Sequence, residues 1–379
     1  MIGLRAKIDQ VRIKGFRSLA DIEIAGLPDV TVMLGANGSG KSNFIRFFEM
    51  LSWMLQSQQL GEFAGRYGGA EEQLFGGSRQ TPRMEATVGL KTEAGQNEYR
   101  FALAHAHPDR FIFTEEACRF SSNALPTQAN WQYIKDSGYA EAKIVEAAQS
   151  GVHLGVNPDT ASYIVKLLRN CATYQFHDTS DDSNLKKRWD VEDNNYLRSH
   201  GGNLAAVLHR LEQEDLRRFK LICHYIGRIL PVFDRFAIEE SYGKASLRWK
   251  AKWTDKTFGA HLTSDGSLRF FALVTLLNLP PAMLPDVILL DEPELGLHPA
   301  AIELVAYMIK ALAKEKQVIV ATQSPLLVDA FGLDEIIVLD LKDGKSDLRK
   351  LDPDEFRVWI EEDFTPGQLW EKNLLGGRP

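Results

Sequence analysis

The sequence predicts an α/β fold built around a parallel sheet. Two observations carry that expectation. A short β-branched run, Val30–Leu34, feeds a glycine-rich loop that opens directly into a helix with an apolar stripe. From Leu262 onward, buried helical and buried strand patterns alternate, which is βαβ texture. The composition suits such a fold: 44% of the 379 residues are apolar and 25% charged, as in ordinary globular chains. This argues against a disordered, collagen-like or disulfide-stapled chain. Cys118, Cys171 and Cys223 form no CxxC pair and read as reduced thiols. The net charge of −7 argues against simple coating of DNA, although a local basic patch stays compatible with it.

Taken in order, Lys7–Ile13 and Ile22–Ile24 alternate apolar and polar residues, as half-covered antiparallel strands do. Val30–Leu34 reads as a buried strand. The helix after the glycine-rich loop carries Phe44, Phe47, Phe48, Leu51 and Leu55 on one face. Residues 61–83 are Gly-rich and polar and read as loop. Met84–Leu90 and Glu98–Leu103 read as paired strands. Residues 105–200 show no clear period. Asn203 reads as an N-cap to a helical stripe that runs from Leu204 to Leu230. Leu247–Trp253 alternates as a strand. A buried helix then leads to a buried strand at Val287–Leu290. An amphipathic helix at Pro299–Lys314 follows, then buried strands at Val318–Ala321 and Ile336–Leu339. The most apolar stretch, Leu268–Leu290, is interrupted by Arg269, Pro280, Pro281, Pro285 and Asp286, so no membrane span is expected. The first fifteen residues scatter charges where a secretory signal needs an apolar core, so the expected location is cytoplasmic.

Two segments carry chemistry. Residues 35–42 read GANGSGKS and match the pattern GxxxxGK[ST] in its required strand–loop–helix context. Here Asn37, Gly38, Ser39, Gly40, Lys41, Ser42 and Asn43 would form a phosphate cradle. Backbone N–H groups and the helix N-terminus would face the anion. Lys41 would reach the β- and γ-phosphates of a nucleotide such as ATP, and Ser42 would ligate Mg²⁺. Residues 286–299, DVILLDEPELGLHP, place Asp291 at the C-terminal end of a buried strand, where α/β sheets hold ligands. Asp291 would hold Mg²⁺ through water, and Glu292 would deprotonate the attacking water. A third segment, LTSDGSLR (262–269), offers free N–H groups and a hydroxyl at a helix start.

The ordered set GANGSGKS, LTSDGSLR, LLDEPELGLHP and VATQSP resembles the ABC-type ATPases of the SMC/RecF branch. The likeness is greatest to its short bacterial AAA-type ATP-binding proteins, with overcoming-lysogenisation ATPases more distant. The opening VRIKGFRSL (11–19) and closing GQLWEKNLLGGRP (367–379) fit the same group. The resemblance implies an ABC ATPase head with a mixed sheet, a P-loop NTPase fold. Residues 1–104 and 258–379 would form the head, and 105–257 a largely helical insertion lobe. It implies that Arg17 approaches the phosphates and that Gln73 is the candidate for the glutamine that reaches the metal, with plain loop as the other reading. It also implies an ATP-sandwiched homodimer in which Ser264 and Gly266 complete the partner's site. Residues Leu295–His298 would form the loop beyond the acids. Two departures stand out. Asp265 places an acid inside the signature, and Gln323 replaces the switch histidine, so turnover is expected to be slow.

The resemblance further implies DNA-linked work, repair or phage defence, with a separately encoded effector such as a nuclease. A nucleotide-gated scaffold with little turnover is the alternative. Lys244, Arg248, Lys250, Lys252 and Lys256 interleave with Trp249 and Trp253. They offer a nucleic-acid platform, against the simpler reading of a solvated strand face over buried tryptophans.

Overall fold

The computed structural model describes residues 7–124, 129–149 and 154–377. The chain forms two compact units: residues 1–172 with 332–379, and residues 173–331.

The first unit is built on a six-stranded antiparallel sheet, all of whose strands lie within it. Strands β1 (Lys7–Phe16) and β2 (Leu19–Ala25) form a hairpin. On its other edge β1 pairs with Arg83–Lys91, which pairs in turn with Gly95–Ala106, Arg110–Ser122 and the short Gln132–Tyr133. Alternation in β1 buries Val11 and Ile13, and a register shift between Ile8 and Gln10 lets Ile8 be buried too. Val30–Leu34 is buried along its length and pairs in parallel with Ile336–Lys342. Helix α1 (Lys41–Ser52) buries Phe44, Phe47 and Phe48. Phe47 stacks on Phe101 of the antiparallel sheet at 6.5 Å and meets Phe16 edge-on at 5.9 Å. Aromatic pairs in these geometries add to plain area burial, so the helix that follows the glycine-rich loop is fixed to the sheet.

In the second unit Val287–Asp291 and Gln317–Thr322 run parallel, with Asp291 level with Ala321. Helix Pro299–Ala313 connects them, as parallel pairing requires. Helix Asp265–Leu277 is buried on nearly every side. Its Phe271 packs with Phe233, Phe236 and Trp249 from a small antiparallel sheet.

Four sequence expectations need correction. The stretch 61–83 holds a helix, Leu60–Arg66, and a 3₁₀ turn, Glu71–Gln73. Leu60, Phe63 and Ala64 do show i, i+3, i+4 spacing, masked by glycines at 61 and 65. The region expected to be largely helical begins with a long strand, Arg110–Ser122, and its neighbour extends to Ala106. A register shift at Ala102/Leu103 breaks the period-two pattern by which these strands would be read. The 204–230 stripe is two helices, Leu204–Glu214 and Leu216–Ile229, broken at Asp215, whose side chain caps the second by accepting from Arg218 N. Asn203 does not cap with its side chain. Its amide donates to the Asp193 and Tyr196 carbonyls and accepts from Arg198 N, pinning the preceding loop.

Candidate functional site: a phosphate cradle and an acidic strand end

The cradle lies wholly in the first unit. The loop runs from the end of strand Val30–Leu34 to the start of α1 at Lys41 and surfaces only at Ala36–Gly38. Gly40 sits at φ 104°, and a Cβ there would fall 2.0 Å from Ser346 Oγ. Only glycine fits both the dihedral and the space. That hydroxyl belongs to a chain of bonds behind the loop. Ser346 Oγ donates to the Ser39 carbonyl at 2.8 Å and lies 2.7 Å from Ser18 Oγ, which accepts from Asn43 Nδ2 at 2.7 Å. Each hydroxyl has one proton, so the direction is set: Asn43 to Ser18 to Ser346 to Ser39. Asn43 thus supports the loop from behind.

Asn37, Gly38 and Ser42 are exposed, whereas Ser39 and Lys41 are buried. Lys41 Nζ donates to the carbonyls of Gly35 and Ala36 at 2.7 and 2.9 Å. Ser39 Oγ is buried with no hydrogen-bond partner among the described residues, a costly state for a hydroxyl unless a ligand group meets it. A buried ammonium, an unpartnered hydroxyl and a helix N-terminus within one loop suit a phosphate anion.

Arg17 and Gln73 form one device in the same unit. Arg17 N donates to the Gln73 carbonyl at 2.9 Å and Arg17 Nε to Gln73 Oε1 at 3.0 Å. The Gln73 amide nitrogen donates to the carbonyls of Tyr67 and Gly69. Gln73 is fully buried and its amide is engaged at both ends. Arg17 adopts φ 48°, and burial, with Arg46 nearby, lowers its pKa from the ordinary value. Gln73 therefore holds Arg17 in place.

The acidic set lies in the second unit. Asp291 is buried at the end of its strand. Its Oδ2 accepts from Gln175 Nε2 at 3.2 Å, and its carbonyl lies 3.0 Å from His177 Nε2. A carbonyl only accepts, so Nε2 of His177 carries the proton. Nδ1 then accepts from Gln175, 3.2 Å away. Glu292 sits at φ 44°, an uncommon dihedral for a non-glycine residue, and its N–H donates to Ala321 O at 2.8 Å. The backbone bond to Ala321 holds that uncommon conformation at the strand's end. Glu294 turns back into the unit. Its Oε1 accepts from the Thr322 hydroxyl at 2.5 Å and from Gln323 N at 3.3 Å, while Oε2 is buried with no partner among the described residues. Burial raises its pKa. Gln323 is thereby tied by its backbone to the loop after the acids.

Ser264 is exposed and caps helix Asp265–Leu277, accepting from Ser267 N. A Cβ on Gly266 would fall 2.5 Å from Gly296 O, so the helix start presses against the loop beyond Glu292. Arg269 donates to His177 O at 2.8 Å and reaches Leu295 O at 3.4 Å. On the basic strand, Trp249 is buried and donates to Thr263, Arg248 pairs with Glu239, and Trp253 is 71% exposed.

The structure thus gathers Arg17, Gln73 and the Asn37–Asn43 loop in one unit, and Ser264, Gly266, Asp291, Glu292 and Gln323 in the other. Sequence reading missed Ser18, Ser346, Gln175, His177 and Glu294. For the serines there is no local signal. Gln175 and His177 alternate with buried Tyr174 and Phe176, a short period-two signal inside an otherwise unpatterned stretch.

A strand–loop–helix phosphate cradle and a parallel strand ending in adjacent acids define an α/β P-loop NTPase. Residues 30–120 and 164–329 match the family described as "AAA domain, putative AbiEii toxin, Type IV TA system", and the chain belongs to that family. Over 91 residues the chain is 33% identical to the DNA replication and repair protein RecF of Anaeromyxobacter dehalogenans (strain 2CP-1 / ATCC BAA-258); the stretch is 24% of this chain and 24% of that protein. An Smc head bound to the C-winged helix domain of ScpA has a similar fold, with TM-score 0.57, 16% identity, and 93% of this chain and 99% of that one covered. A Pyrococcus furiosus Smc head with an extended coiled coil, bound to the C-terminal domain of ScpA, gives TM-score 0.56, 16% identity and coverage of 94% and 99%. The solved structures share this chain's fold, and the stretch that matches RecF spans about a quarter of that protein's length. Among the described residues no helix is long and apolar enough to cross a membrane.

Proposed function

We propose that this protein binds and hydrolyses ATP, closes into a head-to-head homodimer on doing so, and thereby switches a separately encoded effector. The observation that carries the reading is the braced cradle, with buried Lys41 and the unpartnered Ser39 hydroxyl at its floor. Lys41 and the loop N–H groups hold the phosphates. Ser42 on the loop and Asp291 at its strand end each carry an oxygen ligand of the kind Mg²⁺ takes, and the ion when bound would neutralise phosphate charge. Gln175 keeps Asp291 oriented through Oδ2. Glu292 accepts a proton from the attacking water. Ser264 and Gly266 of each subunit act on the nucleotide of the other. Gln323 donates its amide N–H to the γ-phosphate but cannot take up a proton as a histidine would, so turnover is slow. RecF similarity favours an effector that acts on DNA, in repair or defence, with a nuclease as the leading class. A scaffold that binds ATP and barely turns over is the second reading, favoured by Gln323. ATPase rates with and without DNA separate the two.

The shared-site claim is tested by mixing. Ser264→Arg and Lys41→Ala are each expected to be inactive. In the mixed dimer one site pairs an intact cradle with an intact Ser264, so activity returns to about half of wild type or less, coupled sites giving less. Full activity of Ser264→Arg alone contradicts the composite site.

A further inference from the structure

The first unit contains a contact that no known property of the cradle requires. Ala36, the second residue of the phosphate loop, donates its backbone N–H to the carbonyl of Gly377 at 2.8 Å. The two residues are 341 positions apart in sequence. Gly377 has φ 76°, and a Cβ on it would fall 2.6 Å from Val338 Cγ1, 3.0 Å from Leu339 O and 3.7 Å from Gly35 Cα. It is therefore wedged between the strand beside the loop and the loop's first glycine.

The segment that delivers Gly377 is anchored at several points. Thr365 and Gln368 form a reciprocal cap at the start of helix Pro366–Glu371. Leu369, Trp370 and Leu375 are buried. Arg349 Nη2 donates to the Leu375 carbonyl at 2.7 Å. A free-hanging segment would not spend buried side chains and a guanidinium on its path.

We propose that Gly377, delivered by the anchored segment before it, straps the phosphate loop in position and is a positioning residue for nucleotide binding, whereas Gly376 only links it to the anchor at Leu375. The reasoning is geometric. Lys41 donates to the same Ala36 peptide's neighbourhood, through the carbonyls of Gly35 and Ala36. The strap fixes the Ala36 N–H, and the Ser346–Ser39 bond fixes the far side of the loop. The loop is thus held at both ends before nucleotide arrives. Release of the strap frees Gly35 and Ala36 to rotate, and the carbonyls that hold Lys41 move with them. The nucleotide then has to order the loop itself, which weakens binding without altering the acids in the other unit. The proposal rests on the reading of this loop as the ATP site.

Adjacent glycines supply a matched test. Gly376 has the same φ of 76°, but a Cβ there would meet nothing within 4 Å. Asparagine tolerates left-handed dihedrals, so Gly376→Asn and Gly377→Asn carry similar backbone cost and differ in the wedge. Affinity for a fluorescent ATP analogue and the melting temperature of the nucleotide-free protein are measured for both and for wild type. Gly377→Asn is expected to weaken binding about tenfold, while Gly376→Asn stays within about twofold. ATPase assays are expected to show KM raised with kcat kept. Equal affinities for the two variants overturn the strap, as does a Gly377→Asn loss that simply follows a fall in melting temperature. Should Gly377→Asn not fold, hydrogen exchange on wild type decides. The Ala36 amide is expected to be protected without nucleotide, and exchange at the unprotected rate overturns the proposal. Failure of wild type to bind the analogue would instead strike the ATP-site reading itself.

Discussion

The two halves of the candidate machinery are supported in opposite ways. The phosphate cradle presents groups from a single stretch of eight residues, yet it is braced from three distant places: Ser18, Ser346 and Gly377. The acidic strand end presents Asp291, whose side chain is oriented by Gln175, 116 positions upstream. In the cradle the reacting groups are mostly backbone and need only be held still. At the acidic end they are carboxylates, whose orientation and protonation depend on what faces them. On the proposed function, braces of the first kind are expected to govern affinity and braces of the second kind rate.

That contrast can be broken at points of decreasing effect. Glu292→Gln removes the base and leaves Asp291, so turnover is expected to fall by roughly a hundredfold or more. ATP binding persists, and light scattering with ATP and Mg²⁺ should show the mass double. Normal hydrolysis by this variant would remove Glu292 from its role. Gln175→Ala strips the donor from Asp291 Oδ2. Turnover should drop about tenfold and need more Mg²⁺, with ATP affinity in Mg²⁺-free buffer unchanged. A Mg²⁺ titration that overlays wild type would show that Gln175 is packing only.

The smallest effect concerns pH. Burial raises the folded pKa of Glu294. A group of this sign lends stability below its unfolded pKa and loses it as pH rises through the folded one. Glu294→Gln keeps an acceptor for Thr322 but cannot ionise. Its melting temperature should therefore decline less than wild type's as pH rises above the ordinary carboxylate range. Identical slopes would mean that Glu294 does not titrate in that window.

The same contrast explains what could be read from sequence. The cradle was legible because its geometry demands glycines at fixed spacing, and Gly40 cannot be replaced without striking Ser346. Asp291 and Glu292 were legible because a buried apolar strand ends in them. The strands Val30–Leu34 and Val287–Asp291 declared themselves by β-branched, apolar runs. Arg110–Ser122 did not, because an extra residue within it, Thr114, shifts its register and disturbs the alternation. Ser18 and Ser346 were invisible because a serine that braces a loop looks like any surface serine until the fold brings it within 2.7 Å of its partner. Gln73 was noticed for reaching a metal, whereas its amide is consumed by Arg17, Tyr67 and Gly69.

The central claim is that the braced loop around Lys41 is an ATP site. The most direct measurement is equilibrium binding of a fluorescent ATP analogue to wild type and to Lys41→Ala. Wild type is expected to bind and Lys41→Ala to show no measurable binding, because the variant loses the one ammonium buried at the loop floor. Unchanged affinity in Lys41→Ala would contradict the account.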